Sequence, residues 1–136
     1  MREILFRGKT NEGKWIEGQL LHFKASVGSG ELAVIVEGCE WDNSNEWFNL
    51  GKRAKVLTET VGQYTGFTDK NGKKIFEGDI VNIEYPDAVV CNTVINYIGA
   101  SFFGRRFDDD WELDDYVSLE VIGNIHDNPE LLSEGE

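Results

Sequence analysis

The chain has 136 residues, 40% of them apolar and 12% aromatic, with a formal net charge of −12, which is the composition of one folded domain covering residues 1–136 and excludes wholesale disorder. No apolar run approaches bilayer length, since the longest conspicuous one is residues 32–36 (LAVIV), so a membrane span is excluded. The start, MREILFR, breaks its few apolar residues with charge and lacks the features of a signal peptide, which predicts a cytoplasmic protein, and the isolated Cys39 and Cys91 read as reduced structural thiols.

Residues 2–7 and 14–23 predict two strands around a polar turn, and residues 31–37 (ELAVIVE) a third, together an antiparallel meander. Residues 38–49 mix acids, Asn and two Trp without a period. They read as a long loop anchored by Trp41, Trp47 and Phe48, and as a candidate contact surface. Further strands are expected at 55–60, 63–67 and 73–76, the last two joined by the turn Asp69-Lys-Asn-Gly72. Residues 80–85 alternate apolar and polar, 89–98 are rich in β-branched residues, and 102–107 and 116–122 complete the set. Asn128-Pro129-Glu130 has the pattern of a helix start, giving one short helix at the C-terminus. Many short strands with frequent Gly turns predict an all-β fold, a partly open barrel or sandwich of short antiparallel strands with that single helix.

One pattern occurs twice. Residues 64–78 (YTGFTDKNGKKIFEG) match residues 6–18 (FRGKTNEGKWIEG) in a shared frame: aromatic, Gly, Thr, a polar turn ending in Gly-Lys, then Ile, Glu and Gly. That order is a β-hairpin read twice, with Gly13 and Gly72 supplying the positive φ that the turn requires. Glu17 and Glu77 fall at equivalent places in the two copies, where a carboxylate before Gly at a strand corner accepts backbone N–H bonds.

Four pieces of the chain, REILFRG (2–8), GKWIEG (13–18), residues 61–81 and VIGNIHDNPELL (121–132), resemble the YopX family of phage and prophage proteins. The resemblance implies a mostly-β fold, a phage or prophage gene and a location in the cytoplasm of a bacterial host. It implies no activity and carries no functional residues to this chain.

Chemistry is sparse. Residues 108–136 hold eleven acids and no Lys or Arg, whereas residues 1–107 hold fourteen acids against thirteen bases. Without a basic stripe, nucleic acid is disfavoured as a partner. The run Asp108-Asp-Asp-Trp-Glu-Leu-Asp-Asp115 spaces acids as a calcium loop does, but Leu113 stands where the Gly belongs and Leu119 where the bidentate acid belongs. It reads as a solvated loop, with mimicry of a nucleic-acid backbone as the alternative. His22 and His126 neighbour no nucleophile motif, the two Cys lack paired ligand spacing, and the Gly turns lack a phosphate-binding pattern. Arg105 and Arg106 beside Phe102, Phe103 and Phe107 form a basic-aromatic spot, yet Asp108, Asp109 and Asp110 follow at once, so a salt bridge is the expected use.

The expectation is a non-enzymatic module with no cofactor, no metal and no catalytic residues, binding a protein partner, either a host factor or copies of itself. Its candidate contact residues are Trp41, Trp47, Asp108, Asp109, Asp110 and Trp111, with burial of the rings in the core as the competing use. A nucleic-acid accessory protein, and less readily an enzyme built on His22 or His126, are the alternatives.

Overall fold

A five-residue turn, built twice around the same three hydrogen bonds, organises each half of the chain. The computed structural model describes residues 3–24, 28, 30–84, 90–98, 101–106, 109–112 and 118–134, and the chain divides into two compact units, Met1–Gln63 and Tyr64–Glu136.

Unit 1 is an antiparallel sheet of β1 (Phe6–Lys9), β2 (Trp15–Lys24), β3 (Glu31–Asp42) and β4 (Trp47–Val56), in the order β4-β3-β2-β1. Its core is Ile16, Ala33, Ile35 and Val56, with Phe6, Leu20, Ala54 and Val61 packed against it. Three positions of this sheet have no room for a side chain, among them Gly51, where a Cβ would overlap the Glu37 carbonyl. A Cβ at Gly8 would come within 2.7 Å of Val56, and one at Gly18 would overlap the Val36 carbonyl. The sheet therefore bends back on itself. After β4, the Leu57 N–H donates to Lys9 O (2.8 Å), while Lys9 N–H donates to Thr60 Oγ1 (2.9 Å) in a single 3-10 turn, Thr58–Thr60. The β1 strand then pairs with the start of β5 (Gly62–Thr68), Arg7 opposite Gly62 and Phe6 opposite Gln63. On β1 and β2, the Arg7 guanidinium lies 4.9 Å from the Trp15 ring centre, an arrangement that favours a cation over an indole.

Unit 2 continues with β6 (Lys74–Phe76), β7 (Asp79–Glu84), β8 (Val90–Val94), β9 (Asn96–Ile98), β10 (Ser101–Arg106), β11 (Asp109–Glu112), β12 (Ser118–Asn124) and a short helix, α1 (Glu130–Glu134). The described strands include two antiparallel sheets, β12-β7-β8 and β11-β10-β9. Ile75, Val81, Ile83, Ile95 and Leu119 form the core, with Phe67 and Val121 against it. The Gly78-Asp79 corner ties three segments together. Gly78 N–H donates to Ile95 O, Ile95 N–H to Asp79 O and Ile125 N–H to Gly78 O, each at 2.9 Å, while the buried Asp79 carboxylate accepts from Phe76 N–H (2.8 Å).

The two turns share three hydrogen bonds, and the second adds a fourth, from Asn71 N–H to Asp69 Oδ1 (2.8 Å). In the first, Thr10 N–H donates to Lys14 O, Gly13 N–H to Thr10 O, and Lys14 N–H to Thr10 Oγ1. In the second, Asp69 N–H donates to Lys73 O, Gly72 N–H to Asp69 O, and Lys73 N–H to Asp69 Oδ1. Gly13 and Gly72 take φ of 86° and 81°. The structural partner of Thr10 is thus Asp69, one residue past the Thr68 that the shared frame suggests, because the β5–β6 register shifts between Tyr64 and Thr68. Glu17 and Glu77 are not equivalent either: Glu17 lies within β2 opposite Arg7, whereas Glu77 sits in the bend between β6 and β7.

The fold is mostly β and antiparallel with one short helix, as expected, and among the described residues no sheet closes into a barrel. Residues 38–49, expected as a loop, instead form the ends of β3 and β4 and their connection, because a two-stranded ribbon wet on both faces needs no apolar period. Residues 109–112, read as a solvated loop, form β11, paired with β10. Residues 3–5, expected within the first strand, precede it. Among the described residues no helix is long and apolar enough to cross a membrane.

Asp69 is buried at 7% exposure. Burial pushes its carboxyl up, but the N–H groups of Val121, Lys73 and Asn71 and the charge of Lys73 outweigh this and hold it below the usual carboxylate range. Unfolded chain therefore takes up the Asp69 proton first, so the stabilisation is complete above about pH 4 and drains away as pH falls further. Asp69→Asn keeps an acceptor for Lys73 but not the charge, and is expected to cost about 1–2 kcal/mol at pH 7 and less at pH 3. Urea melts at both values check this, and equal losses would reject it. Gly18→Ala is expected to destabilise by about 3 kcal/mol, since the obstructing atom is backbone that cannot turn aside; thermal melts measure it.

Candidate protein contact site

The end of the β3–β4 ribbon is built around one carboxylate. Asp42 Oδ1 accepts from Ser44 N–H (2.9 Å) and from Ser44 Oγ–H, and Oδ2 accepts from Asn45 Nδ2–H (2.9 Å). The two Ser44 donors, then Asn45, hold the Asp42 carboxyl below its ordinary range. Glu46 closes the turn at φ 51°, a left-handed value unusual outside Gly and Asn. Trp41 and Trp47 flank this turn at 59% and 64% exposure, so the core explanation for these two rings does not hold. Trp41 is opposite Phe48 and Trp47 is opposite Asp42, which places the two indoles on opposite faces of the ribbon.

The acidic half of the expected contact is only partly visible. Asp108 lies outside the described residues, while Asp109, Asp110 and Trp111 lie on β11. The β10–β11 register makes Arg105 the partner of Asp110 and Arg106 the partner of Asp109, so opposite charges occupy facing ladder positions.

A second feature escaped the sequence reading. Unit 1 contains a cleft of about 550 Å³ between the β1–β2 turn and residues 52–55 of β4. Ile16, Ile35 and Ala54 form its apolar part, and Lys14, Lys52, Arg53 and Lys55 line it against two acids, Glu12 and Glu37. The signal available was the run Lys52-Arg-Ala-Lys55, which lacks a neighbouring aromatic and so attracts no attention in a chain whose net charge is −12.

His22 Nε2 lies 3.1 Å from Glu31 Oε2 with both side chains about half exposed, and His126 N–H donates to Asn124 Oδ1 (3.0 Å). Among the described residues no three His, Cys, Asp or Glu side chains are placed to share a metal ion.

A sequence model described as YopX protein matches residues 5–133. Among solved structures, the crystal structure of protein EF1440 from Enterococcus faecalis is similar over 97% of this chain and 99% of its own, with 27% identity and a TM-score of 0.64. No curated protein matches.

Asp42→Ala removes the acceptor that orders the ribbon end. Faster hydrogen exchange at the Ser44 amide is expected, with the Ile35 amide unchanged; unaltered exchange at Ser44 would show that the turn holds without its carboxylate.

Proposed function

The chain belongs to the YopX family, and from that premise we propose that it is a phage- or prophage-derived, non-enzymatic module of the bacterial cytoplasm that works by binding protein. The observation that carries this reading is the pair of exposed indoles, Trp41 and Trp47, held at the end of a hydrogen-bonded ribbon. Large aromatic rings left in water cost free energy, and at interfaces they supply area for little loss of conformational freedom, which is why Trp is enriched among the residues that dominate binding. The partner is a host factor or a second copy of the chain, with Asp109 and Asp110 on β11 as a further candidate contact.

A nucleic-acid accessory role is the weaker reading. Arg105 and Arg106 face Asp110 and Asp109 across the ladder, which leaves little net charge there for phosphate. Enzymatic use of His22 is weaker still, since its recorded partner is an exposed carboxylate.

Affinity capture from a bacterial extract tests the proposal. Wild-type protein is expected to retain a partner that the Trp41→Ala/Trp47→Ala variant loses, each ring contributing about 2 kcal/mol to binding, while folding stability changes by less than about 1 kcal/mol. Retention of the same partner by the variant would overturn the assignment of the contact to these rings.

A further inference from the structure

The first turn borders an open cleft, whereas the second turn holds a strand. In unit 2 the turn seats β12: Lys70 N–H donates to Leu119 O (2.9 Å), Asp69 Oδ2 accepts from Val121 N–H (3.0 Å), and Glu120, between those two residues, reaches the Lys70 ammonium at 2.9 Å. What the turn holds there is an extended strand with one acid between two apolar residues. In unit 1 the residue at the position of Lys70 is Asn11, which lines the open cleft with Thr10, and its N–H has no acceptor among the described residues.

The facing wall is β4. Among the described residues this strand pairs with β3 alone, so its other edge is open along residues 52–55. An open edge of N–H and C=O groups is a template for an added strand. Lys52, Arg53 and Lys55 stand along it, all exposed, and Lys14 faces them from the turn side. No ion pair joins any of these four cations to another described residue. Cations on an edge strand also repel other basic edges, and that role sits easily with the second, since the row that rejects a basic strand accepts an acidic one.

Given the protein-binding role proposed above, on which this depends, we infer that the unit 1 cleft seats an extended acidic strand of a partner protein, added along the open edge of β4. Its carboxylates meet Lys52, Arg53 and Lys55, its backbone pairs with β4, and one apolar side chain rests on Ile16, Ile35 and Ala54. A nucleic-acid strand fits this cleft less well, because Glu12 and Glu37 stand inside it and a phosphate backbone lacks the regular donors and acceptors that a strand edge presents.

The blocked peptide acetyl-DLEVED-amide, which carries the Leu-Glu-Val order of residues 119–121, is the probe. Titrated into the full chain and followed by NMR, it is expected to shift the amides of residues 10–14 and 52–55, and to bind about tenfold more weakly when salt is raised from about 0.05 to about 0.5 M. Arg53→Glu/Lys55→Glu, checked for an unchanged circular dichroism spectrum and melting temperature, is expected to weaken it by about tenfold or more. Equal binding of the same peptide methylated at alternate backbone nitrogens would overturn strand addition, and equal binding of a thymidine hexanucleotide would overturn the choice of peptide. Trp41→Ala/Trp47→Ala is expected to bind the probe as wild type does. Absence of probe binding alongside partner capture that still depends on the two indoles refutes the cleft and leaves the proposed function standing; probe binding that persists while the indoles prove dispensable upholds the cleft and overturns the assignment of the contact to the two rings.

Discussion

Both units depend on a side-chain oxygen at the head of a five-residue turn. Within that span the chain must reverse direction and satisfy the N–H of the residue four positions on, and backbone geometry leaves that donor pointing at the first side chain rather than at another carbonyl. Thr10 answers with a hydroxyl and Asp69 with a carboxylate. The fourth position takes a positive φ in both, so glycine is needed there for conformational reasons that no packing could replace. The hydroxyl has one oxygen and finishes with the turn. The carboxylate has two, and the second reaches Val121 on β12, so the same local solution becomes a long-range tie only in the second copy. One substitution between repeats thus separates a turn that is part of a core from a turn that borders open space.

Charge follows the same division. Residues 1–63 carry nine acids against eight bases, a net of −1, while residues 64–136 carry sixteen against five, a net of −11. A chain that looks uniformly acidic from its total is nearly neutral where the cleft lies, and four cations gathered there create a local field that the total conceals. Electrostatic steering by such a patch acts within about a Debye length, about 8 Å at physiological salt, so the charge beside the cleft counts for more than the total.

The doubled hairpin was legible because turns are written in local chemistry: an acceptor, a polar pair and Gly-Lys within five residues. The Gly-Asp corner at 78–79 was legible for the same reason, although the hydrogen bonds linking Gly78 to Ile95 and Ile125 depend on pairing across distant sequence and leave no local mark. Residues 38–49 misled, since a strand whose two faces are both wet has no reason to alternate, and residues 109–112 misled because strand pairing is set by register with a neighbour. The one-residue slip between Thr68 and Asp69 has a similar origin, a bulge that the aligned letters absorb silently. Trp41 and Trp47 were picked out as rings without a core period, and their exposure agrees; the cleft was missed because its walls come from residues 10–14 and 52–55, which only the fold brings face to face.

The placement of Trp41 and Trp47 on opposite sides of the ribbon has a geometric corollary. A flat partner surface can touch one indole and must leave the other in water, so a protein that uses both has to straddle the ribbon end with two lips. Where the partner is flat, the ribbon is bivalent, with each face free to hold a different molecule and the Asp42 turn acting as the rigid spacer that fixes how far apart they stand.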